Sequence, residues 1–192
     1  MPQPETAIFY PPTPKAWRKW LEKNHVSQQA VWVVFYKKSS EKKSITWSEA
    51  VDEALCFGWI DSKKIRIDEE TSHQFFSKRK AKSTWSKINK AKVEQLIESG
   101  AMTEAGLAII ETAKQNGSWS VLDDVEELVI PKDLTAAFKK YPGSKEYFSS
   151  LSKSIKKGML QWLVFAKRPE TREKRITEIA SLAAKQQKPK PF

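Results

Sequence analysis

Asp61 is the carboxylate in this sequence best placed to do chemistry. It follows the apolar run Leu55-Cys56-Phe57-Gly58-Trp59-Ile60 at an expected helix-to-strand junction. A carboxylate there is partly buried and needs a partner, for which Lys64 and Arg79 are the candidates. With a strongly shifted pKa in a cleft it would serve as a general acid or base. The plainer reading is a structural ion pair or a turn-forming Asp. A second constellation runs from Phe75 to Asn89 and mixes aromatics, cations and small polar residues. Nucleic-acid sites need that mixture, with charge for phosphates, aromatic faces for bases, and hydroxyls and amides for hydrogen bonds. It equally fits a buried helix face carrying Trp85 and Ile88, capped by Ser83 and flanked by solvated lysines. A small anionic ligand is the third possibility. Between Ser77 and Lys92 stand seven cations and no acid, among them Lys78, Lys80, Lys82 and Lys87. A third cluster, Lys167, Arg168, Thr171, Arg172 and Arg175, spans a helix–Pro–helix junction. Arg168, Arg172 and Arg175 share one helical face and form either an anion site near a helix N-terminus or pairs with neighbouring acids.

Other chemistries find little support. Six glycines are scattered singly, so no phosphate-cradling loop appears, and no serine sits in a nucleophile elbow. His25 and His73 have no spacing that would make them joint metal ligands. Cys56 is the one cysteine. It can form neither an internal disulfide nor a cysteine zinc site, and it reads as a small buried hydrophobe. The expectation is therefore no catalytic residue, no metal and no cofactor.

The elements that must position these residues divide into two kinds. Ile8 to Tyr10 is a short strand candidate, and Thr13-Pro14 opens a helix with a hydroxyl cap and a proline at its first position. Val31 to Tyr36 is β-branched and aromatic, as expected of a central strand buried on both faces. Thr46-Trp47-Ser48-Glu49 is a capping box, and the helix behind it stops at Gly58. Two strands follow, up to Asp68 and from His73 to Ser77, as a hairpin around Glu69-Glu70. After Arg79 the periodicity is helical: 83–98, 103–115, 131–140, 144–151, 153–166 and 169–184. The fold class is α+β, with a small, mainly antiparallel sheet and helices in the N-terminal half and a helical bundle in the C-terminal half. The domains are 1–120, 128–186 and a mobile tail at 187–192, with the acidic stretch Asp123, Asp124, Glu126, Glu127 as linker.

The chain of 192 residues carries a net charge of +11, which favours polyanions or a soluble basic surface. Forty per cent hydrophobic residues, including eight Trp and nine Phe, suffice for a core and exclude a disordered chain. The start, Met-Pro-Gln-Pro-Glu-Thr-Ala, lacks a basic segment followed by an apolar run, and no stretch approaches membrane-spanning length. A cytoplasmic protein is the expectation.

The run Glu53 to Asp61, then Phe76 to Arg79, Ser83 to Asn89, Leu96-Ile97 to Gly100, Met102-Thr103 and Ala105 to Leu107 resembles the YdeI/OmpD-associated (OmdA), or bacteriocin-protection, family. Pro131 to Leu134 and Ala166 to Arg172, with Arg175-Ile176, resemble its helical C-terminal module. Two positions depart from the family pattern: Ser62 stands where glycine is usual, and Phe76-Ser77-Lys78-Arg79 replaces Phe-Thr-Pro-Arg. The resemblance implies a role in tolerance of bacteriocins or antimicrobial peptides and brings no established catalytic residues. The leading expectation is thus a non-enzymatic binding protein whose ligand surface comprises Trp59, Asp61, Phe76, Arg79, Trp85 and Asn89, with a small anion or a protein as partner. One alternative is a nucleic-acid binder using Lys78, Lys80, Lys82, Lys87, Arg168, Arg172 and Arg175; another is an enzyme built on Asp61.

Overall fold

The computed structural model describes residues 6–190 and 192. The first five residues, Pro191, and the expectations that touch them lie outside the described residues. The chain forms two compact units, one ending at Trp119 and one beginning at Ser120.

The first unit holds β1 (Ile8–Phe9), α1 (Pro14–Asn24), β2 (Ala30–Tyr36), α2 (Trp47–Cys56), β3 (Trp59–Arg66), β4 (Thr71–Lys78), α3 (Lys87–Glu98) and α4 (Glu104–Gln115). The helix starts follow local chemistry. Thr13 Oγ1 accepts from the Ala16 N–H at 3.2 Å ahead of Pro14. Both halves of the Thr46–Glu49 capping box form, with Glu49 N–H donating to Thr46 Oγ1 at 3.2 Å and Thr46 N–H to Glu49 Oε2 at 2.7 Å. Gly58 has a φ of +70°, and a Cβ there would lie 2.7 Å from Ile109 Cγ1, so both conformation and space call for glycine.

The four strands are ordered β1-β2-β4-β3. β1 runs parallel to β2, and the other pairs are antiparallel. The sheet and its helices make the fold α+β, as expected. Val31 lies opposite Phe76, and Phe76 opposite Asp61, which places these three on one face. Between Asp61 and Lys64 the register slips, so that Ser62 and Lys63 together face Phe75 in a bulge. The inner face, with Val31, Val33, Phe76 and Trp59, joins Trp17 and Leu21 of α1 and Ala50, Val51 and Ala54 of α2 in one core. β2 was expected to be buried on both faces. Its inner positions are, but Trp32 on the outer face is only half-buried, in edge contact with Phe75 at 4.9 Å. A further difference lies at α3, which starts at Lys87 behind the cap Ser86 rather than at Ser83. Trp85 is therefore buried from an extended lead-in, and Ile88, expected beside it in the core, is 66% exposed.

The second unit is helical: α5 (Asp123–Glu126), α6 (Lys132–Lys140), α7 (Ser144–Ser150), α8 (Lys153–Val164) and α9 (Pro169–Ala183). Its core includes Leu134, Phe138, Phe148, Leu160, Leu163 and Ile179. The acidic stretch expected as a linker folds into α5, with Leu122 and Val125 in this core and Glu126 paired to Lys157 at 2.5 Å. In the tail expected to be mobile, Phe192 packs edge-on against Trp162 at 5.8 Å. Among the described residues no helix is long and apolar enough to cross a membrane.

Candidate ligand-binding site

Asp61 sits where the bulge of β3 meets the start of α2. Its Oδ2 accepts from Trp47 Nε1 at 2.9 Å and from Gln74 Nε2 at 3.2 Å. Gln74 is 4% exposed, and its Nε2 also donates to the Ser62 carbonyl at 3.0 Å, tying the bulge to β4. Lys64, one expected partner of Asp61, makes no ion pair with it; the carboxylate is held by neutral donors instead.

Arg79, the other expected partner, directly follows β4. Its backbone N–H donates to the Gly58 carbonyl at 2.9 Å, which fixes its Cα beside the end of α2. The guanidinium lies 3.6 Å from the centre of the Trp85 ring, and Nη2 donates to the Thr84 carbonyl at 2.5 Å. The residue is 5% exposed, yet Nε and Nη1 have no hydrogen-bond partner. No carboxylate pairs with it among the described residues, although the charge of Asp61 acts on it from a distance. Burial brings its pKa down to about 10, against which Asp61 pulls upward, so the group stays protonated at neutral pH. A buried cation with two idle donors is rare in folded proteins, because each idle donor costs about 1–3 kcal/mol.

Asp61 and Arg79 line one cleft of about 890 Å³ at the end of the β3–β4 hairpin, together with Ser62, Phe75, Ser77 and Thr84. The hydroxyl residues Ser62, Ser77, Ser83 and Thr84 line it beside the Phe75 ring, with Asp61 and Arg79 at its wall. Such an arrangement can orient a small polar ligand with an acidic end.

The other four residues expected on this surface are placed differently. Trp59, Phe76 and Trp85 are 1%, 0% and 2% exposed and belong to the core. Strand alternation turns Trp59 and Phe76 inward, and Trp85 serves as the bed for the guanidinium rather than as a contact surface. Asn89 lies in the first turn of α3, its N–H donating to Ser86 Oγ at 3.2 Å, and does not line the cleft. Two residues not anticipated do matter: Trp47 and Gln74, the donors to Asp61. The signal was faint, a glutamine two positions before the inward Phe76 on β4.

The basic residues separate as well. Lys78 and Lys80 both line the cleft, and Lys78 Nζ donates to the Val26 carbonyl at 2.7 Å. Lys82 and Lys87 are exposed. Arg168, Arg172 and Arg175 belong to the second unit. Arg172 makes a forked bond to Asp133, at 2.6 and 3.1 Å, and reaches the Leu163 carbonyl at 3.1 Å. Arg175 donates to the Trp162 carbonyl at 2.5 Å and lies over the Trp162 ring. These two arginines tie α6, α8 and α9 together, and only Arg168 of the three is exposed and without such a bond.

Cys56 is fully buried, and desolvation raises its thiol pKa. His25 contacts the Leu21 carbonyl through Nδ1 at 2.9 Å, and His73 lies on the outer sheet face near Trp32. Among the described residues no group of His, Cys, Asp and Glu is placed to hold a metal ion.

No curated protein and no solved structure matches the chain. Two family models do. Residues 9–109, more than half of the chain, match the model described as Domain of unknown function (DUF8412). Residues 127–186 match the one described as Bacteriocin-protection, YdeI or OmpD-Associated. The motifs around Trp59-Ile60-Asp61 and Trp85, attributed above to the second family, thus fall within the first. The two matches split as the two compact units do, and the chain belongs to the family of that domain of unknown function and carries, in its C-terminal helices, the module of the YdeI/OmpD-associated (OmdA) proteins.

Proposed function

We propose that this protein is a non-enzymatic binding protein that takes a small acidic ligand in the Asp61–Arg79 cleft, and that ligand binding underlies a role in tolerance of bacteriocins or antimicrobial peptides. The observation that carries the reading is the Arg79 guanidinium: protonated, 5% exposed, unpaired and with two idle N–H donors at the wall of a polar cleft. A carboxylate or phosphate oxygen supplies the missing acceptor and the missing countercharge. Because Nε and Nη1 are covered from solvent, binding opens the turn from Arg79 to Thr84. The buried, proton-retaining thiol of Cys56 and the hydrogen-bonded carboxylate of Asp61 supply no activated nucleophile, which supports binding over catalysis.

The tolerance role comes from the description of the C-terminal match. Direct capture of a cationic peptide is disfavoured by the net charge of +11, which repels it at long range. The protein therefore acts through its acidic ligand, in the cytoplasm, where a lone reduced cysteine is stable.

The test is a thermal-shift screen of mono- and dicarboxylates and phosphate monoesters against the wild type and Arg79→Lys. A ligand at a hundred times its Kd stabilises by about 2.7 kcal/mol and raises Tm by roughly 5–10 °C. The reading expects at least one such hit, weakened at least about tenfold in Arg79→Lys, which keeps the charge and loses the planar fork. No hit, or a hit indifferent to the substitution, overturns it.

A further inference from the structure

A second cleft of about 890 Å³ is lined by Trp47 and lies between the end of β2, the loop that follows it and the middle of β3 and β4. Lys37, Lys38, Lys42, Lys43 and Lys64 all line it, and no Asp or Glu does. None of the five makes an ion pair with a described residue; Lys42 Nζ alone has a side-chain partner, the Tyr36 hydroxyl at 3.4 Å. Three acids are hydrogen-bonded to uncharged residues of its lining. Glu49 caps α2, Glu70 Oε2 accepts from Ser40 at 3.0 Å, and Asp61 accepts from Trp47 and Gln74. Glu41, in the same loop, is not part of the lining.

The loop is tied down on both sides. Lys37 N–H donates to the Glu70 carbonyl at 2.9 Å, and the Tyr10 hydroxyl donates to the Lys43 carbonyl. The lysine stems therefore start from a fixed frame. Trp47 completes the cleft. It is 51% exposed, an unusual state for a tryptophan, and its indole cannot swing freely because Nε1 is bonded to Asp61 at 2.9 Å. An anchored, half-exposed indole beside five lysines without an ion pair offers two recognition elements at once: a stacking plane and a polyanion cradle. Lysines suit a phosphate chain, since an ammonium binds phosphate as a point charge from several directions.

We propose that this cleft binds a nucleoside diphosphate or triphosphate, the base stacked on Trp47 and the phosphates held by the five lysines. Two or more phosphates are required, because a single one leaves most of the lysine charge uncompensated. The inference is independent of the Asp61–Arg79 reading: the two clefts share no lining residue.

The experiment is calorimetric titration of the full chain with ADP, adenosine and pyrophosphate at low and moderate salt. The variants are Trp47→Ala, Trp47→Phe, and the double substitution Lys43→Ala, Lys64→Ala at two exposed positions that leave the core untouched. The expected result is saturable ADP binding that weakens with salt, pyrophosphate about tenfold or more weaker, and no heat from adenosine. The double lysine variant loses about tenfold or more, and Trp47→Phe retains more affinity than Trp47→Ala. ADP and pyrophosphate binding equally would overturn the stacking half. No ADP binding, or binding indifferent to the lysine pair, would overturn the site altogether.

Discussion

Replacing Arg79 by methionine separates a ligand-binding residue from a structural one. Burial lowers the guanidinium pKa from its ordinary value to about 10. Each pH unit of that depression is worth about 1.4 kcal/mol, so keeping the protonated group in place costs on the order of 3 kcal/mol. Against this stand the stack on Trp85, about 2 kcal/mol for a desolvated cation–π contact, and the charged bond to the Thr84 carbonyl, about 1.5–3 kcal/mol. The terms nearly cancel. Methionine keeps an unbranched stem over the Trp85 ring and removes both idle donors. Arg79→Met is therefore expected to change unfolding free energy by no more than about 1 kcal/mol in either direction, while abolishing binding in the Asp61 cleft. The assay is urea denaturation at pH 7 followed by far-ultraviolet circular dichroism, with the slope checked for constancy. A loss above about 3 kcal/mol would refute the reasoning, because it is the signature of breaking a compensated buried charge. The pH dependence carries the same sign. The folded-state pKa is below the unfolded one, so the contribution of Arg79 to stability is unfavourable up to about pH 10 and is relieved as pH rises from there toward the unfolded-state value. Arg79→Met removes that alkaline rise.

Gly106→Ala places a Cβ 2.4 Å from the Cys56 carbonyl oxygen and 2.5 Å from Met102 Sδ, so it is expected to destabilise the first unit by about 1–3 kcal/mol and lower Tm by several degrees in calorimetry. In the second unit, the Arg172 hydrogen bonds hold the Asp133 carboxyl below its ordinary value. Its stabilisation is complete above the unfolded-state pKa, near 4, and is lost as pH falls through the lower folded value. Arg172→Ala should accordingly flatten the acid limb of thermal stability between about pH 5 and 2, and an unchanged limb would show that Asp133 is not what Arg172 supports. Cys56 should resist iodoacetamide at pH 8 until urea unfolds the first unit, as mass spectrometry of the alkylated chain would show; prompt labelling of the native protein contradicts its burial.

The fold was largely legible, because its elements are announced by short-range chemistry. The Thr13-Pro14 start, the Thr46–Glu49 box and the Gly58 stop are each decided within four residues, and each forms as read. What sequence periodicity missed depends on tertiary neighbours. β2 is apolar on both faces, but whether Trp32 is covered depends on what packs on the sheet, not on β2. The acidic residues near Asp123 look like a linker until Leu122 and Val125 between and beside them find a core.

The candidate site shows the same division. Asp61 and Arg79 stand out as charges at the edges of apolar runs, and they line one cleft. Trp59, Phe76 and Trp85 were grouped with them by closeness in sequence, yet strand alternation and the need to cover a guanidinium send them inward. Gln74 and Trp47 were missed because their role lies in hydrogen bonds to a residue 13 or 14 positions away. The lysine cleft was missed because Lys64 joins Lys37, Lys38, Lys42 and Lys43 only through the pairing of β4 with both β3 and β2.

The most direct test of the central claim is the Arg79 Nε–H resonance in a nitrogen-15 correlation spectrum, followed while the best acidic ligand from the screen is titrated in. The account predicts a saturable downfield shift of that proton as it gains an acceptor, with matching shifts at Ser62, Ser77 and Thr84 and none for a neutral analogue of the ligand. A resonance that stays in place while the ligand saturates the protein would put the binding site elsewhere and leave Arg79 a structural residue.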